Sequence, residues 1–390
     1  MVGVGTLATF LLAGLASLFM AWAIGAGSSG STPFAPAVGA NAISVLRAGF
    51  VVGLLGFLGA VLQGANVTQA VGTSLIDGVT ITATAAIVGL LTAAILVAIG
   101  VFTGYPIATA FTVTGAVVGV GLGLGGDPAW AKYTEIVTLW VAVPFVGGFV
   151  SYVMARTLRA DGVPETVAVP GLAAVVGAIL ANVGFTVLGP PGRQASVAQV
   201  VGPAVGGVVV VTGLAAAAAA LALWADMRRD RTAGQRHFLL ALGGLVAFSA
   251  GGSQVGLAIG PLVPLLDAGL NLPVIALLVG GGLGLLAGSW TGAPRMIKAL
   301  AQDYSDLGPR RSIAALIPSF AIAQTAVAFG IPVSFNEIIV SAIVGSGYAA
   351  GGAGVSTRKM VVTVVAWIGS LVGALVGGFA AFRAVRLVVS

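Results

Sequence analysis

Residues 25–39, GAGSSGSTPFAPAVG, interrupt an apolar chain with glycine, small hydroxyl side chains and two prolines. They follow the apolar run 2–24, which has the ~20 residues a helix needs to cross the hydrocarbon core. A helix that breaks at membrane depth frees backbone N–H and C=O groups. In lipid those groups are costly unless they line a polar cavity. Such a break marks a bundle built around a polar site, not one of plain spans.

The same device returns further along. Residues 251–261, GGSQVGLAIGP, follow the apolar run 238–250, and the stretches 27–36 and 252–261 lie 225 positions apart. Residues 104–119, GYPIATAFTVTGAVVG, and 330–345, GIPVSFNEIIVSAIVG, lie 226 positions apart. Two pairs at nearly one offset imply an internal duplication of about half the chain. Polar, glycine-rich breaks at matching places in two repeats point to the binding site of a secondary transporter. The freed N–H groups of a half-helix N-terminus suit an anion, and freed carbonyls suit a sodium ion.

Composition sets the solvent. Apolar residues make up 58% of the chain, charged residues 7%, and the mean hydropathy is +1.11. A soluble domain carries roughly 25% charged residues, so 17 basic and 11 acidic side chains in 390 residues point to the lipid bilayer as the main solvent. The 60 glycines fit close helix packing and broken helices in a membrane. A net charge of +6 and a pI near 10.2 do not indicate nucleic acid, because the few basic residues lie between apolar segments, as positive-inside bias requires. There is no cysteine, which excludes disulfides and thiolate chemistry. The only histidine, His237, lies at a loop–membrane border and leaves no histidine metal cluster. No HExxH, no pair of aspartates within the spans and no evident base for a serine nucleophile argue against an enzyme. The start lacks a basic region and a convincing cleavage site, so 2–24 reads as the first membrane helix and not as a signal peptide.

Candidate spans are 2–24, 43–62, 81–102, 133–155, 167–188 and 200–224. Residues 226–237, DMRRDRTAGQRH, follow with four arginines against two aspartates and are expected to be a cytoplasmic loop. Beyond lie 238–250, 273–290, 313–329 and 361–382. The expectation is an all-α integral membrane protein with about ten to twelve transmembrane segments, in two repeats with broken half-helix hairpins. The first repeat would take 1–160, connecting helices 161–225, the loop 226–237 and the second repeat 238–390. The GLGLGG run at 121–126 lacks a preceding strand and carries no nucleotide signal.

The polar residues of the breaks are the site candidates. Ser28, Ser29, Ser31 and Thr32 with Ser253 and Gln254 would supply hydroxyl and amide donors to an oxyanion, or pack helix against helix. Glu337 stands inside an apolar segment, and an intramembrane carboxyl is a functional candidate by default. Ionised it would bind Na⁺, protonated it would carry H⁺, and its structural role would be a hydrogen bond to a neighbour. Thr109, Ser334 and Asn336 follow prolines at helix starts. They are candidates for substrate contact (Thr109 and Ser334 for cation contact too), with N-capping as the alternative. Arg295, Lys298, Arg310 and Arg311, around Asp303 and Asp306, read as a solvated membrane border.

At these four segments the chain resembles the inorganic phosphate transporter (PiT) family, which carries a GANDVANA-type and a PISTTH-type motif in each of two inverted repeats. The resemblance covers nearly the whole chain and is strongest over 236–345, where RHFLLALGGLVAFSAGG, LAIGPL, RMIKAL and GIPVS stand in the family's order. It implies an inverted-repeat carrier of phosphate, with a central cytoplasmic loop, Na⁺ or H⁺ co-transported, no bound cofactor and a homodimer. The motifs depart from the pattern. The family's Asn-Asp falls on Ser253-Gln254 and on Ser28-Ser29, so both cation-coordinating aspartates are missing. The PISTTH-type motifs read Pro106-Ile107-Ala108-Thr109-Ala110-Phe111 and Pro332-Val333-Ser334-Phe335-Asn336-Glu337, with a carboxyl in place of the second histidine. Altered coupling follows as an expectation, with sulfate or another oxyanion, or a passive anion channel, as alternatives to phosphate symport.

Overall fold

A computed structural model describes residues 4–160, 162–190, 193–265, 273–352 and 355–389. Residues 2 and 3 of the expected first span, and position 161, where the connecting segment was expected to begin, lie outside them. The fold is helical. In chain order come α1 (Val4–Ile24), a π-turn (Gly25–Ser29), α2 (Ala35–Gly39), α3 (Val45–Gln63), α4 (Ala65–Thr73), α5 (Ala83–Thr103), α6 (Thr109–Leu124) and α7 (Trp130–Thr157). Next are α8 (Glu165–Ala181), α9 (Val197–Val201) and α10 (Val205–Arg229). The chain then runs through α11 (Arg231–Ile259), a 3₁₀ turn (Gly260–Leu262), α12 (Val263–Leu265), α13 (Val274–Thr291), α14 (Ala293–Gln302), α15 (Pro309–Phe329), α16 (Phe335–Tyr348) and α17 (Thr357–Val389). Strand pairing among the described residues is limited to two antiparallel two-residue ladders, Ile76–Asp77 with Asp127–Pro128 and Gly184–Phe185 with Ala195–Ser196.

Nine helices among the described residues are long and apolar enough to cross a membrane, and Thr109–Leu124 and Glu165–Ala181 are shorter apolar helices. Leu11, Leu15, Phe145, Phe149, Val209 and Leu214 are exposed on these helices, as expected of side chains whose solvent is lipid.

The stretches α1–α7 and α11–α17 carry the same order of elements. α5 and α15 each have 21 residues, and each ends in a left-handed glycine, Gly104 (φ 75°) and Gly330 (φ 63°), a conformation that glycine adopts without strain. The packing is exchanged between the halves. Gly59 of α3 lies against the Phe248 carbonyl of α11, where an added Cβ would come within 1.8 Å. Gly288 of α13 lies against the Trp22 carbonyl of α1, at 2.0 Å. Glycine lets these backbones approach where any side chain would hold them apart, and lipid-phase packing depends on such contact.

Two expectations change. Residues 251–261 are not a broken stretch: α11 runs unbroken to Ile259 and yields only at Gly260–Leu262. The first residue there that cannot continue the ladder is Pro261. Gly252 and Gly256 instead admit Gln63 and the Thr68 backbone to the helix surface. Residues 226–237 are not a loop either. α10 ends at Arg229, and Asp230 caps α11 by accepting from the Thr232 and Ala233 amides at 2.8 and 3.0 Å.

At that end of the bundle Glu165, on the first turn of α8, pairs with Arg231 and Arg310 and accepts from Gln235 at 3.1 Å. Arg159 and Arg311 line the same cavity. Arg310 stays half exposed while it is paired with Glu165.

Candidate functional site

Four elements meet at one buried junction: the π-turn after α1, the C-terminal part of α11, and the loops that precede α6 and α16. The π-turn arises because Gly25 must pass the Leu285 carbonyl, which an added Cβ would meet at 2.1 Å. The Ser28 carbonyl then collects the Ser31 and Thr32 amides, both at 3.0 Å, and the Ser31 and Thr32 hydroxyls at 3.1 and 3.0 Å. Ser31 and Thr32 thereby shape the turn and do not present their hydroxyls as donors to the junction. Ser29 is buried within the turn.

Gln254 is the centre of the junction. Its Oε1 accepts from Thr109 Oγ1 at 2.7 Å and from Ser28 Oγ at 3.2 Å, and its Nε2 donates to the Val333 carbonyl at 2.6 Å. One amide therefore touches the π-turn, the start of α6 and the loop before α16. Asn336 closes the ring by donating to the carbonyls of Ile107 at 2.6 Å and Gly27 at 2.9 Å. The sequence aligned Ser28 with Ser253 and Ser29 with Gln254; the structure makes Ser28 and Gln254 direct partners, 226 positions apart. Gly25 and Gly251 make matching close approaches, to the Leu285 and Gly56 carbonyls, and fix that register.

Thr109, Ser334 and Asn336 are not capping by side chain. Thr109 is the first residue of α6, and Ser334 occupies the N-cap position of α16 without a capping bond. Ser334-Phe335-Asn336-Glu337 has the spacing of a capping box, yet neither reciprocal bond forms. Four buried atoms at the junction lack hydrogen-bond partners: Ser253 Oγ, Ser334 Oγ, Asn336 Oδ1 and Glu337 Oε2. Buried polar atoms are normally satisfied; these four belong to residues that form the junction or adjoin it in the chain, and Thr114 Oγ1 and Ser305 Oγ are likewise without partners. The first N–H groups of α6 and α16 add to the junction, since the opening turn of a helix has no internal acceptor for them and carries partial positive charge.

Glu337 is 1% exposed and takes part in none of the ion pairs among the described residues. A carboxyl in that setting has its charge balanced by a bound proton or a bound cation, because an uncompensated buried charge is too costly. Its counterpart in the first half is Phe111, 226 positions earlier, which is packed in a stack on Trp140 with ring centroids 3.9 Å apart.

Two tryptophans hold the loops in place. Trp140 of α7 donates to the Pro332 carbonyl, and Trp367 of α17 donates to the Pro106 carbonyl. Sequence reasoning passed over both. The signal was present, for they lie 227 positions apart, in step with the two Pro motifs. It also passed over Gln63 and Gln324, amides within or at the ends of apolar spans, whose side chains are bonded to each other in the interior.

The fold defines a class, that of multi-pass helical membrane proteins with a polar junction between exchanged halves. The model of the phosphate transporter family matches residues 24–378, and the chain belongs to that family. The chain is 25% identical to a protein of Thermococcus kodakarensis assigned as a phosphate permease, over 92% of this chain and 94% of the relative. It is also 25% identical to the chloroplastic inorganic phosphate transporter 2-1 of Arabidopsis thaliana, over 91% and 68%. Among solved structures, the fold matches that of a sodium-dependent phosphate transporter with a TM-score of 0.81 and 22% identity, covering 98% of this chain and all of the other.

Proposed function

We propose that this chain carries inorganic phosphate across the membrane by alternating access, with two inverted repeats rocking about the Gln254 junction. The observation that carries the proposal is the meeting of two half-helix N-termini with unpartnered Ser253 and Ser334 hydroxyls. Both hydroxyls donate to an anion, and the helix termini favour negative charge. Family membership and the names of its relatives support phosphate as the cargo.

Phosphate is favoured over sulfate by a second feature. At neutral pH phosphate keeps a P–OH donor that sulfate lacks, and Asn336 Oδ1 and Glu337 Oε2 are unpartnered acceptors beside Ser334. A site built to accept that proton discriminates against an anion without one.

Coupling is proposed to be single. With both family aspartates absent and Phe111 stacked at the counterpart of Glu337, one carboxyl remains in the junction. Glu337 would take one cation, Na⁺ or H⁺, for each anion moved. The arginine-rich end, with Arg159, Arg231, Arg310 and Arg311, is assigned to the cytoplasm by positive-inside bias.

The test is uptake by the purified protein in proteoliposomes, with phosphate and sulfate compared with and without Na⁺. Phosphate accumulation against its gradient is expected, with sulfate a weak competitor. Equal uptake of both anions, stopping at equilibrium, would instead identify a passive pore.

A further inference from the structure

A cavity of about 790 Å³ lies away from the Gln254 junction. Its polar lining includes Asn66, Asn182, Arg193, Gln194, Thr212 and Gln324. It stands where α3, α8 and α15 end, at Gln63, Ala181 and Phe329. The starts of α8 and α15 carry the arginine cluster, so the cavity belongs to the opposite end of the bundle. Among the cavity's lining residues Arg193 is the one with a charge.

The inner wall of this cavity is a pair of amides. Gln63 Nε2 donates to Gln324 Oε1 at 3.3 Å, and Gln324 Nε2 faces Gln63 Oε1 at 3.2 Å. Gln324 Nε2 also donates to Ser249 Oγ at 2.6 Å. Gln63 is fully buried, whereas Gln324 reaches the cavity. Behind the pair, Gln63 packs against Gly252, where an added Cβ would meet its side chain at 2.7 Å. Gly252 precedes Ser253, whose hydroxyl is an orphan of the junction, and Ser253 lies one helical turn beyond Ser249. The amide pair therefore lies between the cavity and the stretch of α11 that carries Ser253.

Gln63 also holds the cavity's cover. Its Nε2 donates to the Gly184 carbonyl at 2.8 Å, and its main-chain carbonyl accepts from Gln194 Nε2 at 3.0 Å. Gly184 and Gln194 belong to the hairpin segment between α8 and α9. One side chain thus ties the cover to the inner wall.

The repeat makes this arrangement one-sided. α5 and α15 correspond at an offset of 226, α1 and α11 at 226, and α3 and α13 at 229, as their boundaries and close glycine contacts fix. The counterparts of Gln324, Ser249 and Gln63 are then Ala98, Ala23 and Gly292. The first half places three small residues without polar side chains where the second half meets an amide pair and a hydroxyl.

Building on the transport reading above, we propose that this cavity is the extracytoplasmic vestibule through which the oxyanion enters, and that the Gln63–Gln324 pair is its gate. Arg193 draws the anion in, and the amides offer N–H donors to it as they part from each other. Opening exchanges amide–amide bonds for amide–anion bonds, so it leaves no buried donor unpaired. Because Gln63 carries both contacts, the hairpin cover and the gate move together.

The chain's lack of cysteine makes the test clean. A single cysteine, Ser253→Cys, is placed behind the gate and its reaction with a sulfonate-bearing thiol reagent is timed in purified protein in nanodiscs. With the pair intact the reaction is slow. Gln324→Ala or Gln63→Ala is expected to speed it roughly tenfold or more, as loss of one to two net hydrogen bonds predicts. Arg193→Gln is expected to slow the anionic reagent, to speed a cationic one and to leave a neutral one unaffected. Thr325→Cys, exposed in the vestibule, reports folding and should react at one rate with and without either glutamine substitution. Rates at Ser253→Cys that neither glutamine substitution raises, with Thr325→Cys unchanged, would overturn the gate. The readout is labelling and not transport, so it fails or succeeds apart from the uptake experiment on the unaltered chain.

Discussion

Trp140 donates its indole N–H to the carbonyl of Pro332 at 3.1 Å, and Trp367 returns the contact to Pro106 at 2.7 Å. Each half of the chain therefore holds the hairpin tip of the other. Trp140→Phe keeps an aromatic ring against Phe111 and removes the donor. It should cost about 1 kcal/mol of stability, the net worth of one such bond, and should lower phosphate uptake. Trp367→Phe should behave alike, and the double variant should lose close to the sum. Thermal unfolding in detergent, followed alongside uptake, checks this; unchanged melting in both single variants would mean that the tips are held by other contacts.

Gln254→Leu preserves bulk and removes every polar contact at the centre of the junction. The Val333 carbonyl and the hydroxyls of Ser28 and Thr109 lose their partner together. Uptake should fall by roughly tenfold or more, since each unpaired buried group costs about 1–3 kcal/mol. Ser28→Ala removes one donor of the three contacts and should do less. Initial uptake rates at matched reconstitution distinguish the two.

Glu337→Gln takes away the one junction carboxyl that can hold a proton or a cation. Uptake driven by a gradient should collapse while phosphate–phosphate exchange persists. Separate Na⁺ and H⁺ gradients identify which ion is lost. Strict Na⁺ dependence that survives the substitution would place coupling on another residue.

Gly59→Ala tests the exchanged packing. The new Cβ would stand 1.8 Å from the Phe248 carbonyl, so α3 and α11 must separate, at a cost of about 1–3 kcal/mol. Gly213→Ala on α10 meets nothing within 4 Å and should be neutral or stabilise by up to ~1 kcal/mol through helix propensity. Unfolding midpoints of the two variants give the comparison.

Much of this architecture was legible in the sequence because lipid imposes a strict rule on it. Apolar length gives the spans, and a polar break in a span has few uses other than a site. The breaks around Ser28 and Ser334 were located on that basis, and their side chains do reach one junction or its walls. Residues 251–261 misled for a physical reason: glycine and serine signal a break equally well when they serve close packing, and Gly252 and Gly256 do the latter. Ser31 and Thr32 turned inward to their own Ser28 carbonyl, a choice set by local backbone geometry that composition does not record. The Gln63–Gln324 pair joins residues 261 positions apart. No local pattern announces such a contact until the two halves are docked.

The exchange of α3 and α13 between the halves has a bearing on how the molecule is made. While the ribosome is still synthesising α8–α10, the first half is already in the bilayer with Gly59 and the Pro106 carbonyl facing partners that do not yet exist. The close contacts of the first half cannot form until α11, α13 and α17 have been made. A product ending before α11 would lack every contact that the two halves exchange, and neither half is complete as a structural unit without the other.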